Sequence, residues 1–155
     1  MQEYEPLLRR LAKDYGGSFG PASADDLAAL EPYHLPKSVL DYFRHFEPSG
    51  YPGGSATLHN IKHLLTENSG CAIPGAYTVK QGFFVFATTG CGDCYCFDCR
   101  KASTGSVPIV LFDHELISER TRAERILQLA TPVASDLTDF FNKLVNEQLN
   151  ETPFH

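Results

Sequence analysis

The sequence predicts an α+β fold in which helices flank a central antiparallel sheet built as a meander. Apolar side chains recur at helical spacing near both ends of the chain, whereas residues 82–112 form short aromatic and β-branched runs divided by glycine turns. A length of 155 residues at 43% hydrophobic composition suits one core, so residues 1–150 are read as a single domain and 151–155 as a loose tail.

Residues 4–15 bring Leu7, Leu8, Leu11 and Tyr15 to helical spacing, and Gly16-Gly17 stops the helix. Ser23, three residues before Asp26, resembles a cap for a short helix through Leu27 and Leu30, because a hydroxyl accepts from free first-turn amides. Leu35-Pro36 opens a longer helix with Val39, Leu40, Phe43 and Phe46 in a stripe, ended by Pro48 and Gly50. Proline suits its first turn, where a missing N–H loses no bond. Residues 50–54 read as a loop, 55–58 as a brief strand, and 59–68 as a helix with Ile61, Leu64, Leu65 and Asn68 on one face and Gly70 beyond its end.

From about residue 77 strands fit better. The apolar run 82–87 is expected of a central strand covered on both faces, residues 88–92 turn the chain, and 94–99 form a second strand. A loop at 103–106 precedes a third strand at 107–112. Residues 118–125 are charged and ambiguous, while 126–130 fit either a short strand or the end of a helix, with strand preferred. After Pro132, Ser135 is the expected cap of a last helix carrying Leu137, Phe140, Phe141, Leu144 and Val145.

Nineteen acidic against thirteen basic side chains give a formal charge of -6. Such a balance repels phosphate backbones, argues against nucleic-acid binding and attracts a basic protein partner. The N-terminal residues lack a secretory pattern and no apolar run reaches bilayer length, so a cytoplasmic, membrane-free protein is expected. Five cysteines, an odd number, suit a reducing compartment better than a disulfide framework.

Cys91, Cys94, Cys96 and Cys99 carry two C-x-x-C spacings, so a zinc site is an alternative to a protein without a cofactor. A strand places Cys94 and Cys96 on one face and Cys99 on the other, which fits small buried thiols more simply. Cys91-Gly-Asp-Cys94 also has redox spacing, but it precedes a strand instead of starting a helix. The Pro-Cys-x-x-Cys element of zinc deaminases is absent, Gly90 standing before Cys91. His59 and His63 are four residues apart and read as a solvated helical face, with metal chelation as the sharper option. His114 could serve as a general base, but no nucleophile is nominated beside it, and no catalytic residue is assigned. Asp93, Asp98, Asp113 and Glu115 lie near strand ends and are the candidate partner contacts; Asp93 also suits fixing its own turn by accepting from nearby amides.

The order of several segments resembles the SUKH superfamily, the cell-wall regulator and toxin-immunity domain type. These are Leu35-Pro36 before an aromatic helix, the loop 50–54, the aromatic strand ending at Ala87, Gly90-x-Gly92-Asp93-x-Tyr95-x-Phe97-Asp98, and Ala134-Ser135-x-Leu137-x-x-Phe140-Phe141. The likeness covers roughly residues 20–145, and its glycine-aspartate-tyrosine element is the most specific part. It implies an α+β domain without enzymatic activity, most often a bacterial immunity protein that blocks a cognate toxin, frequently a nuclease. A monomer or weak homodimer is expected, and fungal relatives acting as regulatory scaffolds supply a further alternative.

Overall fold

A computed structural model of the chain describes residues 2–70 and 73–149. Helix α1 (Glu5–Tyr15) buries Leu8 and Leu11 and ends where the Gly16 N–H meets the Ala12 carbonyl. Strand β1 (Ser18–Gly20) leads to α2 (Ala24–Ala29), capped as expected by Ser23, whose hydroxyl accepts from the Asp26 N–H at 3.1 Å. Helix α3 (Lys37–Phe46) buries Val39, Tyr42, Phe43 and Phe46; Pro36 sits at its N-cap in extended geometry, one position earlier than the sequence suggested. Strand β2 (Glu47–Ser49) then pairs antiparallel with β1. This small ribbon is absent from the sequence expectation because Pro48 reads as a breaker. In a two-stranded ribbon each strand is an edge, where proline is tolerated.

After β3 (Thr57–Leu58) comes α4 (Ile61–Glu67), whose cap Asn60 accepts from the His63 N–H at 2.9 Å. The helix therefore starts later than expected and leaves His59 outside it. A short helix, α5 (Gly75–Thr78), precedes the long strands β4 (Phe83–Thr88) and β5 (Cys94–Asp98), followed by β6 (Ile109–Phe112). Helix α6 (Ala123–Leu129) occupies the stretch expected to be a strand, and β7 (Thr131–Ala134) follows it. Ile126 anchors α6 by burial while Glu124 and Arg125 stay exposed, the signature of a helix with one buried face. Helix α7 (Leu137–Val145) is capped by Asp136 and not Ser135: the Asp136 carboxylate accepts from the Asp139 N–H at 2.8 Å. Ser135 instead donates its N–H to the Asp139 carboxylate at 2.9 Å.

The five-stranded sheet has the order β3-β4-β5-β6-β7, every neighbour antiparallel, which is the expected meander extended by a strand at each edge. Alternation sorts its side chains between two cores. Phe84, Phe86, Tyr95, Phe97 and Ile109 face the larger core with α1, α3, α4 and α7. Phe83, Val85, Cys94, Cys96, Val110 and Phe112 face a smaller one closed by Ile117 and Ile126. The register shifts between Val85 and Ala87, so Phe86 is an extra residue, and both Phe86 and Ala87 turn to the larger core. The Phe86 ring then stacks on Phe97 at 4.1 Å.

Strand β3 reaches only Ala87 and Thr88, so it ends before Val85. The buried side chain of Asn68 takes over there: its Oδ1 accepts from the Val85 N–H at 2.8 Å, and its Nδ2 donates to the Val85 and Leu64 carbonyls at 2.9 Å each. One amide thus extends the ladder and fastens the end of α4 to the sheet. Residues 151–155 and Cys71 lie outside the described residues.

Candidate functional site

The turn from β4 to β5 closes through the Thr89 N–H on the Asp93 carbonyl at 2.9 Å and the Gly92 N–H on the Thr89 carbonyl at 3.1 Å. Gly92 has φ 96°, a left-handed conformation that favours glycine, and a Cβ there would lie 3.5 Å from the His114 ring. That ring covers the turn. Asp93 Oδ1 accepts from His114 Nδ1 at 2.8 Å and from the His114 N–H at 3.2 Å. The aspartate therefore does not fix its own turn, as expected from sequence, but ties it to the end of β6. The same hydrogen bond, and the Asp93 charge behind it, raise the His114 pKa above its ordinary value despite some opposing desolvation.

Asp113 caps the 3-10 turn that follows, accepting from the Glu115 N–H at 2.9 Å. One ligand atom from each of Asp93, Asp113 and His114 lies within 4.8 Å of the others, and Glu115 is exposed beside them. Next to it Leu116 is 46% exposed. Three of the four candidate contacts are thus neighbours at one end of the sheet. Asp98 is at the other end of β5. It is 2% exposed, and its two oxygens accept from Arg100 Nε and Nη2 at 3.0 Å each. The Arg100 guanidinium lies over the Phe83 ring at 4.6 Å. Asp98 is therefore an internal ion pair and offers no carboxylate to a partner's surface.

The cysteines disperse as the strand pattern predicts. Cys94 and Cys96 are buried in the smaller core, Cys99 packs against the larger one, and Cys91 is exposed on the turn. Among the described residues, no group of three close potential metal ligands includes a thiol. Burial, the largest cause in each case, pushes the Cys94 and Cys99 thiols up to about 12 and raises Cys96 well above its ordinary value. None of these three is an activated nucleophile.

A second polar group lies at the joint between β3 and α4. His59 is 5% exposed, with Nε2 2.7 Å from the Thr88 hydroxyl. Its ring stacks on His63 with centroids 4.1 Å apart and an interplanar angle of 12°. His63 Nε2 is 3.0 Å from Glu67 Oε1. The expected solvated face holds for His63, whose side chain is 41% exposed, but not for His59. Desolvation, followed by the neighbouring His63, lowers the His59 pKa to about 4. Imidazole beside hydroxyl is half of a nucleophilic pair, yet His59 Nδ1 is buried with no partner among the described residues to orient it, and so acidic an imidazolium makes a weak base. Glu67 escaped the sequence reading; the spacing His59-x3-His63-x3-Glu67 was its available signal.

Two open clefts flank the helices. One, of about 600 Å³, includes Tyr4, Lys37, Asp41 and Asp136, and the other, of about 610 Å³, runs along Leu27, Leu30, Leu35 and Arg44. Neither includes a histidine-hydroxyl pair or a cysteine. No helix among the described residues is long and apolar enough to cross a membrane. Residues 8–143 match the model of the SMI1 / KNR4 family (SUKH-1), a span that takes in most of α1 and most of α7. No curated protein matches the chain.

Proposed function

Because the chain belongs to the SMI1 / KNR4 family (SUKH-1), we propose that it is a non-enzymatic binding protein that neutralises a cognate protein toxin, in the manner of an immunity protein. The family match over residues 8–143 carries this reading. The net charge of -6 supports it, since an acidic surface attracts basic proteins, nucleases among them, and accelerates their encounter. The docking surface we assign is the sheet end formed by Asp93, Asp113 and Glu115. Asp93 and Asp113 spend one oxygen each on the fold and keep further lone pairs for a partner, while Leu116 adds exposed apolar area. A cytoplasmic monomer or weak homodimer completes the proposal.

Co-expression with the products of adjacent reading frames tests it. One neighbour is expected to be toxic alone, harmless with this protein, and to co-purify with it; if no neighbour binds or is toxic, the proposal fails. Asp113→Asn combined with Glu115→Gln then weakens the complex if the assigned surface is correct.

A further inference from the structure

The histidine pair at the β3–α4 joint has a feature that folding alone leaves without a use. His59 Nδ1 is buried and has no hydrogen-bond partner among the described residues, in a ring whose other nitrogen is occupied by Thr88. Buried polar atoms are satisfied in the great majority of cases, so such an atom points to a missing ligand. We propose that His59, His63 and Glu67 bind a late first-row divalent cation, with Zn²⁺ as its representative.

The local fold brings these residues together. Asn60 starts α4 after His59, and the His59 N–H donates to the Phe86 carbonyl at 3.4 Å, holding that residue against the sheet. His63 and Glu67 lie one helical turn apart on the same face. One ligand atom from each of the three residues lies within 4.8 Å of the others. Around a tetrahedral zinc with bonds of about 2.0–2.2 Å, ligand atoms stand roughly 3.3–3.6 Å apart, so the ligand atoms must draw closer and the His63 ring must turn out of its near-parallel stack on His59, because lone pairs in two parallel ring planes do not converge on one metal. His63 and Glu67 can supply that movement, because their side chains are 41% and 22% exposed, whereas buried His59 is the fixed point.

Protonation fits as well. The neutral form of His59 is the metal-binding form, and a proton on Nε2 donated to the Thr88 hydroxyl leaves a lone pair on Nδ1. Thr88 is then the outer partner that selects the tautomer. Two imidazoles and a carboxylate suit zinc, cobalt, nickel or copper, in contrast to the all-oxygen shells preferred by calcium and magnesium. Three protein ligands leave a fourth position for water. No thiol belongs to this group of ligands, although Glu67 lies near enough to Cys94 to help raise its pKa, and the site does not depend on toxin binding.

The test uses the full chain, freed of metal by a chelator and titrated with Co²⁺ and Zn²⁺. One equivalent of Co²⁺ is expected to give the visible absorption of a low-symmetry nitrogen and oxygen site, Zn²⁺ to displace it, and Zn²⁺ to raise the Tm. His63→Gln and Glu67→Gln each weaken binding at least about tenfold while the metal-free variants keep the wild-type circular dichroism. These positions are chosen because replacing His59 disturbs the core itself. Cys91→Ser leaves binding unchanged. The proposal is overturned if neither metal binds, if both surface variants bind as tightly as wild type, or if a thiolate-to-cobalt band appears and is lost in Cys91→Ser.

Discussion

Asp98 and Asp113 each stand just before a 3-10 turn and cap it, accepting from the Arg100 and Glu115 N–H groups respectively. Their surroundings separate them. The Asp98 side chain is 2% exposed and clasped by Arg100, whereas Asp113 keeps access to solvent. Removing one partner of a buried ion pair strands the other charge, so Asp98→Ala is expected to lower stability by about 3 kcal/mol in urea unfolding. In the folded fraction it is expected to leave affinity for the proposed toxin unchanged, while Asp113→Asn lowers that affinity with little loss of stability. His114 yields a pH prediction. Its folded pKa is raised by Asp93, so the pair's contribution is fully present below the unfolded value of about 6.5 and is lost as pH rises through the folded pKa. An NMR titration of the imidazole should give a pKa above 6.5, falling back towards it in Asp93→Asn. Neither the Arg100 clasp nor the His114 pairing was legible in the sequence. The first looks like any exposed charge pair, and the second joins residues 21 positions apart.

Among the elements, α1, α3 and α7 were legible because their buried stripes span several turns, and packing rewards that periodicity. Strands β4, β5 and β6 were legible because both their faces are buried, making their runs continuously apolar or aromatic. Strands β1 and β2 are too short to display a period and exist because each supplies the other's hydrogen bonds. The error at 126–130 has the same origin, since five residues fit helix and strand equally until Ile126 is seen to anchor one face. The element boundary most open to test is Asn68. Asn68→Ala would leave the Val85 N–H and carbonyl without their described side-chain partner where β3 has ended. A loss of roughly 2–3 kcal/mol is expected, with faster amide exchange at Val85 than at Phe97 in the strand interior.

At the scale of the molecule, the Asp113 group and the His59 joint lie towards the same end of the sheet, where Thr88 pairs with Cys94 and Cys94 with Phe112, but in different surroundings. The surface near Asp113 is acidic and open, and the joint near His59 is packed against α4. If the acidic end receives a basic toxin, the association rate should fall steeply as salt rises while dissociation changes little, measurable by stopped-flow mixing at two ionic strengths. Residue chemistry and periodicity by themselves determined the α+β class, the antiparallel meander, the main helices and the division of Cys94 and Cys96 from Cys99, because these depend on which side chains are apolar and on how a local backbone spaces them. Only the tertiary structure decided that Asp98 is buried, that Asp93 holds a distant turn, and that His59 is buried against the sheet. Those facts depend on desolvation and on contacts between segments, which no local pattern encodes.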